Sequence, residues 1–256
     1  RGQTVPDVNT HHQPDFMRMP GMLTDEDMGQ LEGASGLTFD RLFLEFMITH
    51  HEGAVTMVDN LLDLTHVSYL HRSTLAGDDV EAVTPVTTRR DGDRISVGRW
   101  ILDVSAPPLY AEASGISGAV DRWQLITWEA PANVYFDIGC ARAGSGAPDG
   151  DRSQGVSMWS THLVTPETNT STHYFFSFTR DFKLDDAEVT RILSEGSRTA
   201  FNEDLVVLEA QQRARDASPT SPEIDIKHDH AQIQARRTLS KLIEAERRDH
   251  GKTAAE

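Results

Sequence analysis

Arg122-Trp123-Gln124-Leu125-Ile126-Thr127-Trp128 and Asn133-Val134-Tyr135-Phe136-Asp137-Ile138-Gly139-Cys140 are two short runs rich in β-branched and aromatic residues, joined by a connection containing Pro131. Both read as strands. Working outward, Arg94 to Asp103 precedes them, and Val156 to Val164 and Thr172 to Thr179 follow with the same signature. Gly/Pro/Asp-rich connections separate the runs, and Ala143 to Gly155 reads as a mobile surface loop. No helix-length pattern lies between consecutive strands, so the sheet is expected to be mainly antiparallel rather than built of βαβ units.

Helical patterns flank this block. A long amphipathic helix is expected from about Asp186 to Arg215, then a polar segment with Pro219 and Pro222, then a last helix from Ala231 to Arg248. At the other end, residues 1 to about 22 are polar and rich in Pro, His and Met, and read as an irregular arm. Thr24-Asp25-Glu26-Asp27 resembles a capped helix start, and Gly33 to Gly36 a break. From Leu37, the residues Phe39, Leu42, Phe43, Phe46, Met47, His50, Ala54 and Met57 recur at helical spacing. One long helix, or two joined near Val58, is expected to run on through the histidine segment described below. The fold class is α+β, with the helices grouped at the ends.

The chain of 256 residues is long enough for one domain or one domain with an appendage. Its formal charge of -16 argues against nucleic acid or an anionic membrane surface as partner, since both reward clustered Lys and Arg. Cys140 is the single cysteine, which excludes an internal disulfide and fits a reducing compartment. No apolar stretch of bilayer length and no secretory leader is present, so a soluble protein is expected. The chain starts at Arg1, so further residues, a leader or a whole domain are expected to have preceded it.

Chemistry concentrates in Asp59-Asn60-Leu61-Leu62-Asp63-Leu64-Thr65-His66-Val67-Ser68-Tyr69-Leu70-His71. His66, His71 and the distant Asp204 would make two imidazoles and one carboxylate, the ligand set that leaves positions open on a non-heme Fe(II). Asn60, Asp63 and His66 recur every third residue on one helical face, but His71 lies roughly 140° around an ideal helix from His66. The metal reading therefore requires a π-bulge, a kink or a helix end between the two histidines. Otherwise they are ordinary surface or core histidines. On the long helix, Leu193, Ser197, Ala200, Phe201 and Leu208 share a face with Asp204 at its centre, while Glu203 and Glu209 turn toward the polar side. A carboxylate aimed at a core needs a cationic partner, which a metal, a buried Arg or a buried His could supply.

Four segments carry a family likeness: Asp59 to His66 with His71, Thr172-His173-Tyr174-Phe175-Phe176, Phe201-Asn202-Glu203-Asp204 leading into Leu208-Glu209-Ala210-Gln211-Gln212, and Arg236-Arg237 through Leu242-Ile243-Glu244-Ala245-Glu246. Together, over about Val58 to Arg248, they resemble the catalytic domain of Rieske oxygenases, in particular the vanillate O-demethylase and dicamba monooxygenase group. The resemblance implies a helix-grip fold, an antiparallel sheet around a long C-terminal helix. It implies His66, His71 and Asp204 as Fe(II) ligands, Asp63 as the acidic bridge toward a neighbouring subunit's Rieske centre, and Asn60 close to the iron. It also implies O2 and a small aromatic substrate, a homotrimer, and hydroxylation of a ring or methyl carbon; a hydroxylated methoxy group then loses formaldehyde. One cysteine cannot supply the two thiolates of a Rieske [2Fe-2S] cluster, so a Rieske or reductase donor in trans is expected. His162 and His173 are candidates for a substrate carboxylate or phenol contact.

Upstream, Met19 to Asp25, Phe39 to Leu44 and Met47-Ile48-Thr49-His50-His51-Glu52-Gly53-Ala54-Val55-Thr56-Met57 are similar to the start of a ferritin-like, Met/His-rich family of unknown function whose studied members bind copper in the bacterial periplasm. Met47, His50 and His51 at i, i+3 and i+4, with Met57 two turns on, form a candidate soft copper site. The same residues would equally serve as core or interface filler. The two likenesses meet near Val58 without a linker, which suggests a chimera: an N-terminal unit over 1–57, a catalytic unit over 58–250 and a tail over 251–256. The expected compartment is cytoplasmic, or periplasmic if the N-terminal segment sets the address. Three functions stand open: an oxygenase catalytic domain, a metal-binding module, or a fusion without redox supply.

Overall fold

The computed structural model describes residues 25–36, 38, 39, 42, 55–168, 171–218 and 224–253. Six strands form one antiparallel sheet in chain order: β1 (Thr87–Asp91), β2 (Arg94–Ser105), β3 (Ala119–Glu129), β4 (Asn133–Arg142), β5 (Gly155–Thr168) and β6 (Ser171–Arg180). The hairpin read first from the sequence runs in register from Val120 opposite Arg142 to Glu129 opposite Asn133. Helices α1 (Asp25–Gly33), α2 (residues 55–62), α3 (Val67–Leu70) and α4 (Pro108–Ser114) precede or interrupt the sheet, and α5 (Ala187–Ala217) and α6 (His230–Thr253) follow it. None of the described helices is long and apolar enough to cross a membrane.

Strand alternation decides which side chains meet the helices. On β3 the inward row is Arg122, Gln124, Ile126 and Trp128, on β4 it includes Val134 and Cys140, and on β5 it is Met158, Ser160, His162 and Val164, all buried. Helix α5 lies against this face. Its start is fixed by Asp186, whose carboxylate accepts the backbone N–H groups of Glu188 and Val189. Val189 and Leu193 enter one apolar cluster with Ile101, Tyr110, Cys140 and Met158. Leu208 enters another with Leu62, Ile95, Ile126, Trp128 and Val134, where Ala231 and Ala235 of α6 also pack. Asp204 falls on α5 between those two anchorages.

Two expectations are corrected. Ala143 to Gly155 is tied down on the outer sheet face: Ala147 is buried with Trp123, Gly144 N–H donates to Asp121, and Arg152 grips Asp137 from above the Trp123 ring. The helix entering the histidine segment stops at Leu62 rather than running through it. Asp63 ends it, because its Oδ1 accepts both the backbone N–H and the hydroxyl of Thr65 and so competes with the helical ladder.

Candidate metal centre

The turn at Asp63 supplies the helix end that convergence of the histidines requires. His66 becomes the N-cap and His71 the C-cap of the four-residue α3, so the two rings face each other across one short turn. Their Nε2 atoms stand 3.2 Å apart with the ring planes 76° from each other. From α5, Asp204 Oδ1 lies 3.4 Å from His66 Nε2 and 3.2 Å from His71 Nε2. Three donors at right angles, about 2.1 Å from one ion, stand about 3.0 Å apart, so this triangle matches one face of an octahedron closely. Among the described residues these are the three that group as possible metal ligands.

Neighbouring side chains hold the triangle in place. His71 Nδ1 meets Glu203 Oε2 at 2.8 Å, and Asn60 Nδ2 donates to Asp204 Oδ1 at 3.1 Å. Asp63 Oδ2 is 3.8 Å from His66 Nδ1, which is buried without a hydrogen bond. Arg99 donates to the Leu64 carbonyl at 2.8 Å and to Gln124 Oε1 at 2.6 Å, tying the turn to the sheet. His71 and Asp204 are buried at 2% and 8% exposure. Burial alone would raise the Asp204 pKa, but the two imidazoles hold the carboxyl well below its usual range. Burial alone would lower His71; Asp204 and Glu203 outweigh it and raise its pKa.

Glu203 corrects the helix-face reading, which turned it toward solvent. Its longer side chain reaches back from the flank of α5 to the outer nitrogen of His71, which no periodicity could foretell. Arg99 carried a signal that went unread: Ile95, Val97, Arg99 and Ile101 alternate, so a cation sits on an apolar face. His162 is an interior residue, not a surface one. Its Nε2 meets Ser160 Oγ at 2.7 Å and its Nδ1 meets the Tyr174 hydroxyl at 2.6 Å, and burial pushes its pKa down to about 3. His173 is exposed and stacks on Phe175. Met57 is buried in the apolar cluster around Trp128, while Met47, His50 and His51 lie outside the described residues.

Residues 53–245 match the vanillate O-demethylase oxygenase C-terminal domain. The chain belongs to that family. A second model, described only as a domain of unknown function, matches residues 2–76. A vanillate O-demethylase oxygenase subunit of a Pseudomonas species is 38% identical over 196 residues, covering 75% of this chain and 59% of that protein. Dicamba monooxygenase bound to 3,6-dichlorosalicylic acid superposes with a TM-score of 0.67 at 29% identity, over 75% of this chain and 56% of the other. Dicamba monooxygenase with non-heme iron and dicamba gives 0.59 at 26% identity, over 76% and 55%. This family member thus spans somewhat more than half the length of such relatives, and the family match over residues 53–245 takes in the sheet and the positions of His66, His71 and Asp204.

Proposed function

We propose that the chain is the catalytic portion of an aromatic-ring-hydroxylating or O-demethylating monooxygenase, with His66, His71 and Asp204 as ligands of a mononuclear Fe(II). The observation that carries this reading is the meeting of two Nε2 atoms and one carboxylate oxygen at 3.2 to 3.4 Å. Donor chemistry fits ferrous iron, since imidazole suits iron and a face of three leaves the opposite side open. When bound, ferrous iron supplies the activation of O2 toward an unreactive carbon–hydrogen bond.

The chain's own residues do the positioning. Glu203 holds the proton of His71 on Nδ1, which turns the Nε2 lone pair toward the cluster. Asn60 fixes the rotation of the Asp204 carboxylate. Asp63 and His66 also line an outer groove with Asp59, Arg215 and Arg236, which we assign as the face where a donor approaches. These 256 residues carry one cysteine, so the electrons come from an iron-sulfur cluster outside them. The relatives named for vanillate and dicamba support a small methoxylated aromatic acid as substrate. We assign the catalytic unit to residues 58–250, in the cytoplasm.

The test is iron content and product. One Fe(II) per chain is expected, lost on His66→Ala or Asp204→Ala. With O2, an iron-sulfur donor system and vanillate, formaldehyde is expected; iron binding that survives both substitutions, or oxygen uptake that stays at background with all components present, overturns the reading.

A further inference from the structure

Two buried arginines on neighbouring strands reach the two ends of the histidine segment. Arg99 of β2 stands opposite Gln124 of β3, and Ile101 opposite Arg122, so both guanidiniums start from the inward face of the sheet. The carbonyl of Leu64, past the end of α2 and two residues before His66, accepts from Arg99 Nη2 at 2.8 Å. The same guanidinium donates through Nε to Gln124 Oε1 at 2.6 Å and through Nη1 to the carbonyl of Glu81. One rigid plane thus joins the sheet, the start of the segment and a residue beyond its end.

At the far end the fully buried Glu81 is the anchor. Its Oε1 accepts from Arg122 Nη1 and, at 3.0 Å, from the Gly77 N–H. Gly77 follows Ala76, whose N–H donates to the carbonyl of His71 together with those of Thr74 and Leu75. A Cβ on Gly77 would stand 2.6 Å from the Ser105 carbonyl and 2.8 Å from Glu81 Oε1, so the backbone passes too closely there for a side chain. His66 and His71 therefore lie in a stretch pinned at Leu64 and again at Gly77. Stability is a poor reason for this arrangement. Burial, then Arg122, brings the Arg99 pKa down to about 10 against the pull of Glu81 and Asp63, so it stays a buried cation at neutral pH. In the Arg122–Glu81 pair, Arg122 Nε and Glu81 Oε2 are both buried without a hydrogen bond. Apolar residues of the same volume often stabilise as well as such a pair; what the pair can add is a defined geometry.

We propose that Arg99 and Arg122 are positioning residues of the metal centre, clasping the histidine segment at both ends so that the two Nε2 atoms keep the spacing of one octahedral face with Asp204. This deepens the oxygenase reading and rests on it only for the presence of a metal at the triangle. It makes the sheet, rather than the short helix α3, the part that sets the ligand distances. A released segment would let the imidazoles close around an ion with fewer ligands.

The experiment compares the full wild-type chain with Arg99→Lys, Arg122→Lys and Gly77→Ala, and with Gly139→Ala as a control on the outer sheet face. Co(II) is the probe, because its visible band is weak in six-coordinate surroundings and far stronger in four-coordinate ones. Competition with a chromophoric chelator gives its affinity, urea midpoints without metal give stability, and hydrogen exchange of the metal-free chain reports on residues 65–76. Each lysine keeps the charge but replaces the planar fork by one ammonium. The three clasp variants are expected to bind Co(II) about tenfold or more weakly, with a stronger band and with faster exchange over residues 65–76 than in the β3–β4 hairpin. Gly139→Ala is expected to lower the urea midpoint and leave affinity and band unchanged. Gly77→Ala alters neither guanidinium, so it keeps the test decisive where an arginine variant fails to fold. Affinity and band that match wild type in the clasp variants, or that change as much in Gly139→Ala, overturn the clasp and leave the oxygenase reading standing. A wild type that takes up no Co(II), while residues 65–76 still loosen in the variants, overturns the oxygenase reading and leaves the clasp.

Discussion

Glu203 precedes Asp204 in the chain and serves the other side of the same imidazole, binding His71 Nδ1 while Asp204 faces Nε2. If it fixes the tautomer, Glu203→Ala should weaken Fe(II) binding by about ten- to a hundredfold, and Glu203→Gln, which keeps an acceptor, by less. Competition against a chromophoric chelator measures both; affinities matching wild type would show that the contact does not orient His71. His162 makes a second prediction, through pH. Its folded pKa of about 3 lies below the ordinary value of 6.5, so between these limits the unfolded chain holds a proton that the folded one refuses. Stability is therefore full above pH 6.5 and falls as pH drops, by about 2 kcal/mol on reaching pH 5. Urea midpoints across that range should slope less in His162→Gln than in wild type; parallel slopes would mean that His162 does not report burial. At this scale the sequence marked His66, His71, Asp204, Asn60 and Asp63 as candidates, and the structure brings them together. It hid Glu203, because a helix wheel gives the direction of Cβ and not the reach of a long side chain.

Strands and long helices were legible because each has a period that burial enforces. The β3–β4 hairpin, β5, β6, α5 and α6 all run within a few residues of their expected bounds. Strand β1 is not legible in the sequence, since Thr87-Thr88-Arg89-Arg90-Asp91 is a largely exposed edge strand without an apolar alternation. Helix α4 was too short to show a period, and only its Pro108 start and the left-handed Gly115 cap mark it. The break after Leu62 was visible as a geometric demand rather than as a pattern. Gly139 on β4 offers a test of how tightly the sheet packs. A Cβ there would overlap the Trp123 ring and the Val156 carbonyl, and Trp123 is fully buried between its own neighbours. Neither backbone nor indole can yield cheaply, so Gly139→Ala should cost about 2 kcal/mol or more, read as a lower urea midpoint with unchanged slope. A neutral result would mean that the outer face is looser than this contact implies.

The whole molecule brings α5 across the sheet onto the α2–α3 turn, and that crossing could not be read from periodicity, which gives each helix a buried face without saying what covers it. Family likeness supplied the pairing instead. The crossing has a thermodynamic consequence, because an ion held by His66, His71 and Asp204 would clip together segments far apart in sequence. Metal that binds the folded chain alone adds stability as its logarithm of saturation, about 2.7 kcal/mol at a hundredfold excess over its dissociation constant. Fe(II) under anaerobic conditions should therefore raise the thermal midpoint of the wild type and leave His66→Ala unmoved. Hydrogen exchange locates the effect: amides of the α2–α3 turn and of α5 around Asp204 should slow together, while those of the exposed strand β1 should not change. Slowing confined to the histidine turn would mean that Asp204 does not share the ion, since a ligand set drawn from one segment has no means of tightening the other.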